Sequence, residues 1–281
     1  MDIQFKEVGY AYKGFKELYH AINNINLKID QTGEFIAIVG QTGSGKSTLV
    51  QHLNALMRPT SGKINILGTE LPGKKKLKVN HLRQKVGLVF QFPEYQLFEV
   101  NILKDVAFGP SNFKETRLHA ETYAKEALEV VGISKDLYEE SPFRISGGQM
   151  RRVAIAGILA MKPHILVLDE PTRGLDPQGK DDMMDMFNEI HIKENKTIVM
   201  ISHDMDVVAK YAKRIIVLDQ GNIVYDGPKD ELFLHKDFDK FHLDYPTPMK
   251  VLNHLHETLG YPKKLVLSNE ALLKHLKEVA K

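Results

Sequence analysis

Nine consecutive residues, Gly40-Gln41-Thr42-Gly43-Ser44-Gly45-Lys46-Ser47-Thr48, fit the phosphate-loop spacing G-x-x-x-x-G-K-[ST]. Glycines at these positions let backbone N–H groups turn inward around a polyphosphate, and the helix that follows adds its positive end. In that arrangement Lys46 reaches the β- and γ-phosphates and the Ser47 hydroxyl ligates Mg²⁺. A second group, Asp169-Glu170, ends the apolar run Ile165-Leu166-Val167-Leu168. Open α/β sheets bind ligands at the carboxyl ends of their strands. There Asp169 would hold Mg²⁺, and Glu170, facing the other way, would polarise an attacking water as general base. A strand-end acidic pair is ordinarily just solvated, and only the phosphate loop reverses that reading. Ser146-Gly147-Gly148-Gln149 precedes a helical run from Met150 to Ala160. Alone it reads as a serine cap and a turn. It is also a second glycine-lined helix start fit for an anion, with no second phosphate loop to explain it.

The elements that must position these residues are legible in the hydrophobic pattern. Phe35-Ile36-Ala37-Ile38-Val39 is continuously apolar up to Gly40, as suits a strand buried on both faces of a parallel sheet. Lys46 to Met57 places Leu49, Val50, Leu53, Leu56 and Met57 on one helical face. Ile3-Gln4-Phe5 and Ile25 to Ile29 alternate with period two, the pattern of half-buried strands. Further strands are expected at 165–168, 197–201 and 214–218. Helices are expected over 120–131, behind the Asp176-Pro177 cap, over about 204–212, and in a C-terminal stripe of Leu272, Leu273, Leu276 and Val279. Strand-helix alternation of this kind argues for an α/β sheet with crossover helices. The stretch from about 91 to 161 has little strand signal and reads as an inserted helical subdomain.

Composition narrows the function classes. The 281 residues carry 43% hydrophobic and 26% charged side chains and a net charge of +2, which exerts no global pull on nucleic acid or anionic membrane. With no cysteine, disulfides and thiolate metal sites are excluded, which fits a reducing cytosol. The N-terminus lacks the apolar stretch of a signal peptide, and no apolar run approaches a membrane span. A membrane role would therefore come through a partner subunit. The basic run Lys74, Lys75, Lys76 and Lys78 reads as a solvated loop.

Taken in order, these segments resemble the ABC ATPase family over about residues 1–228. Ser146-Gly147-Gly148-Gln149 is similar to its signature, Gln91 after Val89-Phe90 to its Q-loop, Gly174-Leu175-Asp176 to its D-loop, and His203 in Ile201-Ser202-His203-Asp204 to its switch histidine. Tyr12 stands where the family often stacks an aromatic on adenine, with Tyr10 and Tyr19 as competitors. The resemblance implies a head-to-tail dimer in which each ATP lies between the phosphate loop of one subunit and the signature of the other. Gln91 would then sense Mg²⁺ and the γ-phosphate, and His203 would contact the γ-phosphate and the water. Soluble ABC ATPases acting on nucleic acid or ribosomes are the alternative. Those usually insert long coiled coils or fuse two ABC halves, and neither occurs here.

A narrower resemblance lies in Val86-Gly87-Leu88-Val89-Phe90-Gln91-Phe92-Pro93-Glu94-Tyr95-Gln96-Leu97-Phe98, in Val106 to Pro110, in Met150 to Gly157 and in the C-terminal extension. These are similar to energy-coupling factor transporter ATPases, and the Phe-Pro-Glu version to the second of two paralogous ATPases that pair as a heterodimer. The resemblance implies ATP and Mg²⁺ as ligands and a place on the cytoplasmic membrane face. It also implies an integral membrane coupling subunit contacting Gln91 to Phe98, and indirectly a substrate-capture subunit for vitamins or a metal ion. A homodimer serving a cobalt- or nickel-type system keeps the class and changes the assembly. The chain is thus expected to hold a P-loop NTPase domain of ABC type over 1–230, with the helical subdomain at about 91–161 and no nucleic-acid partner. A helical extension over 231–281 would serve dimerisation. Arg173, where relatives often carry a small residue, has no role on this reading.

Overall fold

The computed structural model describes residues 2–14, 18–72 and 78–279. Residues 74–76 of the basic run lie outside them. Two sheets organise the chain. The first is antiparallel, in the order β2-β1-β4-β5, from β1 (Asp2–Lys13), β2 (Leu18–Asp30), β4 (Ser61–Ile66) and β5 (Thr69–Leu71). The second is in the order β10-β9-β3-β8-β7-β6, from β3 (Phe35–Val39), β6 (Val86–Val89), β7 (Ile165–Asp169), β8 (Thr197–Ile201), β9 (Arg214–Asp219) and β10 (Asn222–Pro228). Its strands run parallel apart from β10, which pairs antiparallel to β9.

The continuous apolar runs have a simple cause. Successive side chains of a strand point to opposite faces, and both faces of the second sheet are covered. Phe35, Ala37 and Val39 join one core with Leu166, Leu168, Ile198 and Met200. Ile36 and Ile38 join another with Ile165, Val167, Val199 and Ile201. The second core also takes Ile3, Phe5, Ile25, Leu27 and Ile29 from the antiparallel sheet, whose period-two runs extend in both directions beyond the segments expected.

The helices are α1 (Lys46–Leu53), α2 (Asn80–Lys85), α3 (Ile102–Ser111), α4 (Ala120–Val130), α5 (Gly147–Leu159), α6 (Pro177–Glu194), α7 (Met205–Tyr211), α8 (Lys229–Phe233), α9 (Thr247–Leu259) and α10 (Asn269–Val279). Between residues 91 and 161 the described chain is helical or turn, with α3, α4 and α5 packed on one another through Val106, Ala124, Leu128, Val153 and Ala156.

One helical expectation is corrected. Helix α1 ends at Leu53 rather than Met57. Ala55 takes a left-handed φ of 56°, and the N–H groups of Leu56 and Met57 both donate to Gln51 O, closing the helix in a Schellman-like turn. Leu56 is left 42% exposed. The C-terminal helix is present as α10, with Leu272 and His275 buried and Leu273 and Val279 facing outward. His275 Nε2 lies 3.0 Å from Pro262 O, so a ring rather than a leucine occupies the inward face there. Phe238, Met249, Leu252, Val266 and Leu272 share the core of the second sheet. Thr247 N and Oγ1 donate to Asp206 on α7 at 2.7 and 2.6 Å.

Candidate active site

The parallel sheet gathers the site. Ile38, Ile201 and Asp169 are register partners across β3, β8 and β7, and Val89 of β6 pairs with Leu168. Because these strands run in one direction, Gly40, Ser202-His203, Glu170 and Gln91 all emerge at one sheet edge, in that spatial order. The cleft at this edge, roughly 680 Å³, is lined among others by Thr42, Gly43, Gly45, Lys46, Ser47, Thr48, Glu170 and His203. Gly40 and Gln41 line an adjoining cavity with Ser202, His203 and His242 to Asp244.

The loop needs its glycines at two tight points. At Gly40, with φ 142°, a Cβ would sit 2.1 Å from Leu218 O, and at Gly45, with φ 102°, 2.3 Å from Ala21 O. Both conformations are ones that side-chain-bearing residues rarely adopt. Lys46 follows at the first position of α1, 6% exposed, and its Nζ donates to Gly40 O at 2.8 Å and Gln41 O at 2.7 Å. Burial pushes its ammonium below the ordinary value, with Glu170 and Asp169 pulling the other way. The hydroxyl oxygen of Ser44 is buried with no hydrogen-bond partner among the described residues.

Asp169 is 9% exposed, and burial raises its carboxyl above the usual range while a hydrogen bond from Ser47 opposes the rise. Glu170 turns the other way because its backbone is left-handed, with φ 49°. That conformation is strained for a residue with a Cβ, and such strain concentrates at functional sites. Its carboxylate is held from three sides. Gln91 Nε2 donates to Oε2 at 2.9 Å, Arg173 Nη1 donates to the same oxygen at 3.0 Å, and His203 Nε2 lies 3.2 Å from Oε1. Burial first, then the positive charge of Lys46, lowers the His203 imidazole below its ordinary value, which favours the neutral ring.

Of the three tyrosines considered for adenine, Tyr12 and Tyr19 line the cleft and are direct cross-strand partners in the β1–β2 hairpin. Tyr12 Oη is 3.1 Å from Thr48 Oγ1. Tyr10 is turned away, edge-on to His52 at 5.1 Å, and is absent from the cleft lining.

Ser146, Gly147, Gly148 and Gln149 do not line this cleft. They start α5 with a capping box: Ser146 Oγ accepts from Gln149 N at 3.2 Å, and Gln149 Oε1 accepts from Ser146 N at 3.0 Å. Ser146 to Gly148 are exposed, and nothing lies within 4 Å of where a Cβ on either glycine would point. The turn is an open, preformed donor surface away from the cleft of its own chain.

Sequence reasoning left Arg173 without a role and did not find the pair Lys180–Asp204, 2.9 Å apart at the cleft wall. The first carried a usable signal, since Glu170 and Arg173 are three residues apart. The second joins α6 to the N-cap of α7 and had none.

Comparison with known proteins places this geometry. The model of the ABC transporter family matches residues 22–173, more than half the chain. The chain is 50% identical to the energy-coupling factor transporter ATP-binding protein EcfA2 of Bacillus licheniformis, over 92% of this chain and 91% of the relative. It is 48% identical to the protein of that name from Ligilactobacillus salivarius, over 97% and 95%. Among solved structures it is similar to cbiO1 of Clostridium perfringens, part of the ABC transporter complex cbiONQ, with a TM-score of 0.73, 33% identity and coverage of 92% and 95%. It is also similar to the ATP-binding cassette MJ0796, solved as a dimer in a post-hydrolysis state with ADP and Pi, with a TM-score of 0.68, 30% identity and coverage of 80% and 98%.

Proposed function

Because the chain belongs to the ABC transporter family and is an ATP-binding, ATP-hydrolysing subunit of an energy-coupling factor transporter, we propose that its two phosphate-directed surfaces work in different ATP sites. The observation that carries this reading is their separation. Gly40 to Thr48 lies at the cleft, while the exposed Ser146 to Gln149 turn does not line it. One subunit's loop then faces the signature of a second ABC ATPase, and the ATP between them joins the two. The dimeric ADP-and-Pi structure of the MJ0796 relative is consistent with that arrangement.

Within one site the residues divide the work. The loop N–H groups and Lys46 bind the β- and γ-phosphates, and Tyr12 or Tyr19 covers the base. Ser47, Asp169 and Gln91 offer hard oxygen ligands that fit Mg²⁺, and Ser47 lies near enough to the buried Asp169 to favour its charged form. Bound there, Mg²⁺ would neutralise charge developing on the phosphate oxygens. Glu170 takes a proton from water as the water oxygen bonds to the γ-phosphorus and the bond to the β,γ-bridging oxygen breaks, releasing ADP and phosphate. His203, kept neutral, orients Glu170 and the water. Positioning and charge stabilisation dominate such a reaction.

The membrane connection runs through another chain. No helix among the described residues is long and apolar enough to cross a bilayer. Phe92, Tyr95 and Phe98 are 38%, 83% and 57% exposed around the 3₁₀ turn Pro93–Gln96. This aromatic surface, directly after Gln91, is where an integral membrane coupling subunit docks, holding the ATPase at the inner membrane face for uptake of a vitamin or metal ion. Residues 1–230 form the ATPase domain, and 231–281 an extension that helps pair the subunits.

Affinity purification from membranes through a tag on this chain tests the assignment. A second ABC ATPase and a multi-spanning protein should co-purify, with ATP hydrolysis confined to the assembled fraction. If the chain runs alone and vesicles lacking it still take up substrate, the transport reading is wrong.

A further inference from the structure

The turn after β7 places a second charged group beside Glu170. Arg173 Nη1 and Gln91 Nε2 both donate to Oε2 of that carboxylate, at 3.0 and 2.9 Å. A carboxylate oxygen offers two lone-pair directions. Oε2 is therefore fully engaged, and Oε1, 3.2 Å from His203 Nε2, keeps the direction left for a water. Arg173 is itself held from behind. Its carbonyl accepts from Arg151 Nη1 at 2.9 Å, and the Nε and Nη2 of Arg151 donate to the two oxygens of Glu94 at 3.3 and 3.2 Å. The Arg151 side chain is 6% exposed, with the Phe92 ring centroid 5.9 Å from its guanidinium. A bidentate fork fixes orientation as well as charge, and a buried guanidinium is strongly destabilised if its carboxylate is lost. Glu94 lies in the 3₁₀ turn flanked by the exposed Phe92 and Tyr95.

We propose that Arg173 is a positioning residue that presents Oε1 of Glu170 to the attacking water, and that through its carbonyl, Arg151 and Glu94 this presentation depends on the aromatic surface around Tyr95. The inference rests on Glu170 being the general base. The route differs from the one through Gln91: it consists of one fork, one main-chain carbonyl and one ion pair, and it enters the site from the D-loop side. A partner that draws the Glu94 turn outward loosens the fork, lets Arg151 shift and moves the Arg173 backbone, so Glu170 loses its aim. A partner that seats the turn does the reverse. Arg173 is 57% exposed, so its replacement does not threaten the fold.

The test measures ATP hydrolysis in the complex purified through this chain, with the partner ATPase's own phosphate loop inactivated so that only the site built on this chain's Lys46 turns over, for Arg173→Ala, Arg173→Lys, Glu94→Gln, the double variant Arg173→Ala/Glu94→Gln and Glu170→Gln. Arg173→Ala should lower kcat about tenfold with KM for ATP changed less than about twofold, and Arg173→Lys should recover about half of the lost activity. Glu94→Gln should lower kcat about threefold on its own and add nothing on top of Arg173→Ala, since both act on one chain of contacts. An unchanged kcat in Arg173→Ala, or a loss confined to KM, overturns the positioning role, provided Glu170→Gln abolishes turnover. Full additivity of the Glu94 and Arg173 effects overturns the link to the aromatic surface. Turnover at the unmodified rate in Glu170→Gln would instead remove the general-base assignment beneath both.

Discussion

Gln91 Nε2 donates to Glu170 Oε2 at 2.9 Å although 79 residues separate the two in sequence. Gln91 follows β6, where the chain leaves the sheet for the helical region, and Glu170 follows β7, the neighbouring strand. The contact therefore joins the segment that leads into the exposed aromatic turn to the carboxylate proposed as general base by a single hydrogen bond. Movement of the helical region relative to the sheet must stretch or remake it.

With the partner ATPase's own phosphate loop inactivated, Glu170→Gln should retain nucleotide binding and lose turnover at this chain's site by about 10²- to 10⁴-fold, the range general-base groups contribute. The amide keeps the shape and accepts from Gln91 and Arg173 through its oxygen, but it cannot take a proton. Light scattering with ATP should then show a long-lived dimer, since the joining nucleotide is no longer consumed. Steady-state phosphate release is the deciding measurement.

Lys46→Ala should abolish hydrolysis and weaken ATP binding by about ten- to a hundredfold, as loss of a charge-assisted hydrogen bond of about 1.5–3 kcal/mol predicts. Titration with a fluorescent nucleotide reads this directly. Affinity equal to the unmodified chain would mean the loop N–H groups suffice without the ammonium.

Gly45→Ala should destabilise the chain by about 1–3 kcal/mol and impair nucleotide binding, because a side chain at left-handed φ carries that strain. The added methyl also meets Ala21 O at 2.3 Å, and that atom belongs to β2 backbone that cannot rotate aside. Thermal unfolding of the purified variant checks the first effect, and the nucleotide titration the second.

Stability should fall in mild acid through His52. The ring is fully buried, its Nδ1 lies 2.7 Å from Thr48 O, and burial lowers its imidazole below the ordinary 6.5. Below pH 6.5 the unfolded chain binds a proton that the folded chain resists, so folding weakens as pH falls through that value and on toward the depressed one. Above 6.5 both forms are neutral and nothing changes. In His52→Phe, which keeps a ring against Tyr10, the slope of Tm against pH between 7 and 5.5 should flatten.

Replacing Ser146 by Ala removes the capping box and should cost α5 about 1 kcal/mol. Its larger effect should fall on the opposite site. With the two ATPases mixed as mutant and wild type, the site formed by the partner's phosphate loop should slow, while the site built on this chain's Lys46 keeps its rate. Equal slowing of both sites would contradict the division of labour between the two surfaces.

The local rules that operate over a few residues were legible in the sequence. Phe35 to Val39 read as a doubly buried strand because every position is apolar. Asp176-Pro177 read as a helix start, and the structure bears this out, with Asp176 Oδ1 accepting from Gly179 N at 3.0 Å. Gly40 to Thr48 read as a phosphate loop because its glycines and lysine sit at fixed spacing. What the sequence could not contain is which residues meet. Strand order β3-β8-β7-β6 is not chain order, and it alone sets His203, Glu170 and Gln91 side by side. Helix α1 stops early because a left-handed Ala55 closes it, a backbone state no periodicity records. Tyr10 is turned from the cleft by its packing on His52, and Arg173 acquires a partner only when the turn folds its guanidinium onto Glu170. Hydrophobic period reports the faces of single elements, whereas contacts between charged groups depend on the register and direction of whole strands, which long-range packing decides.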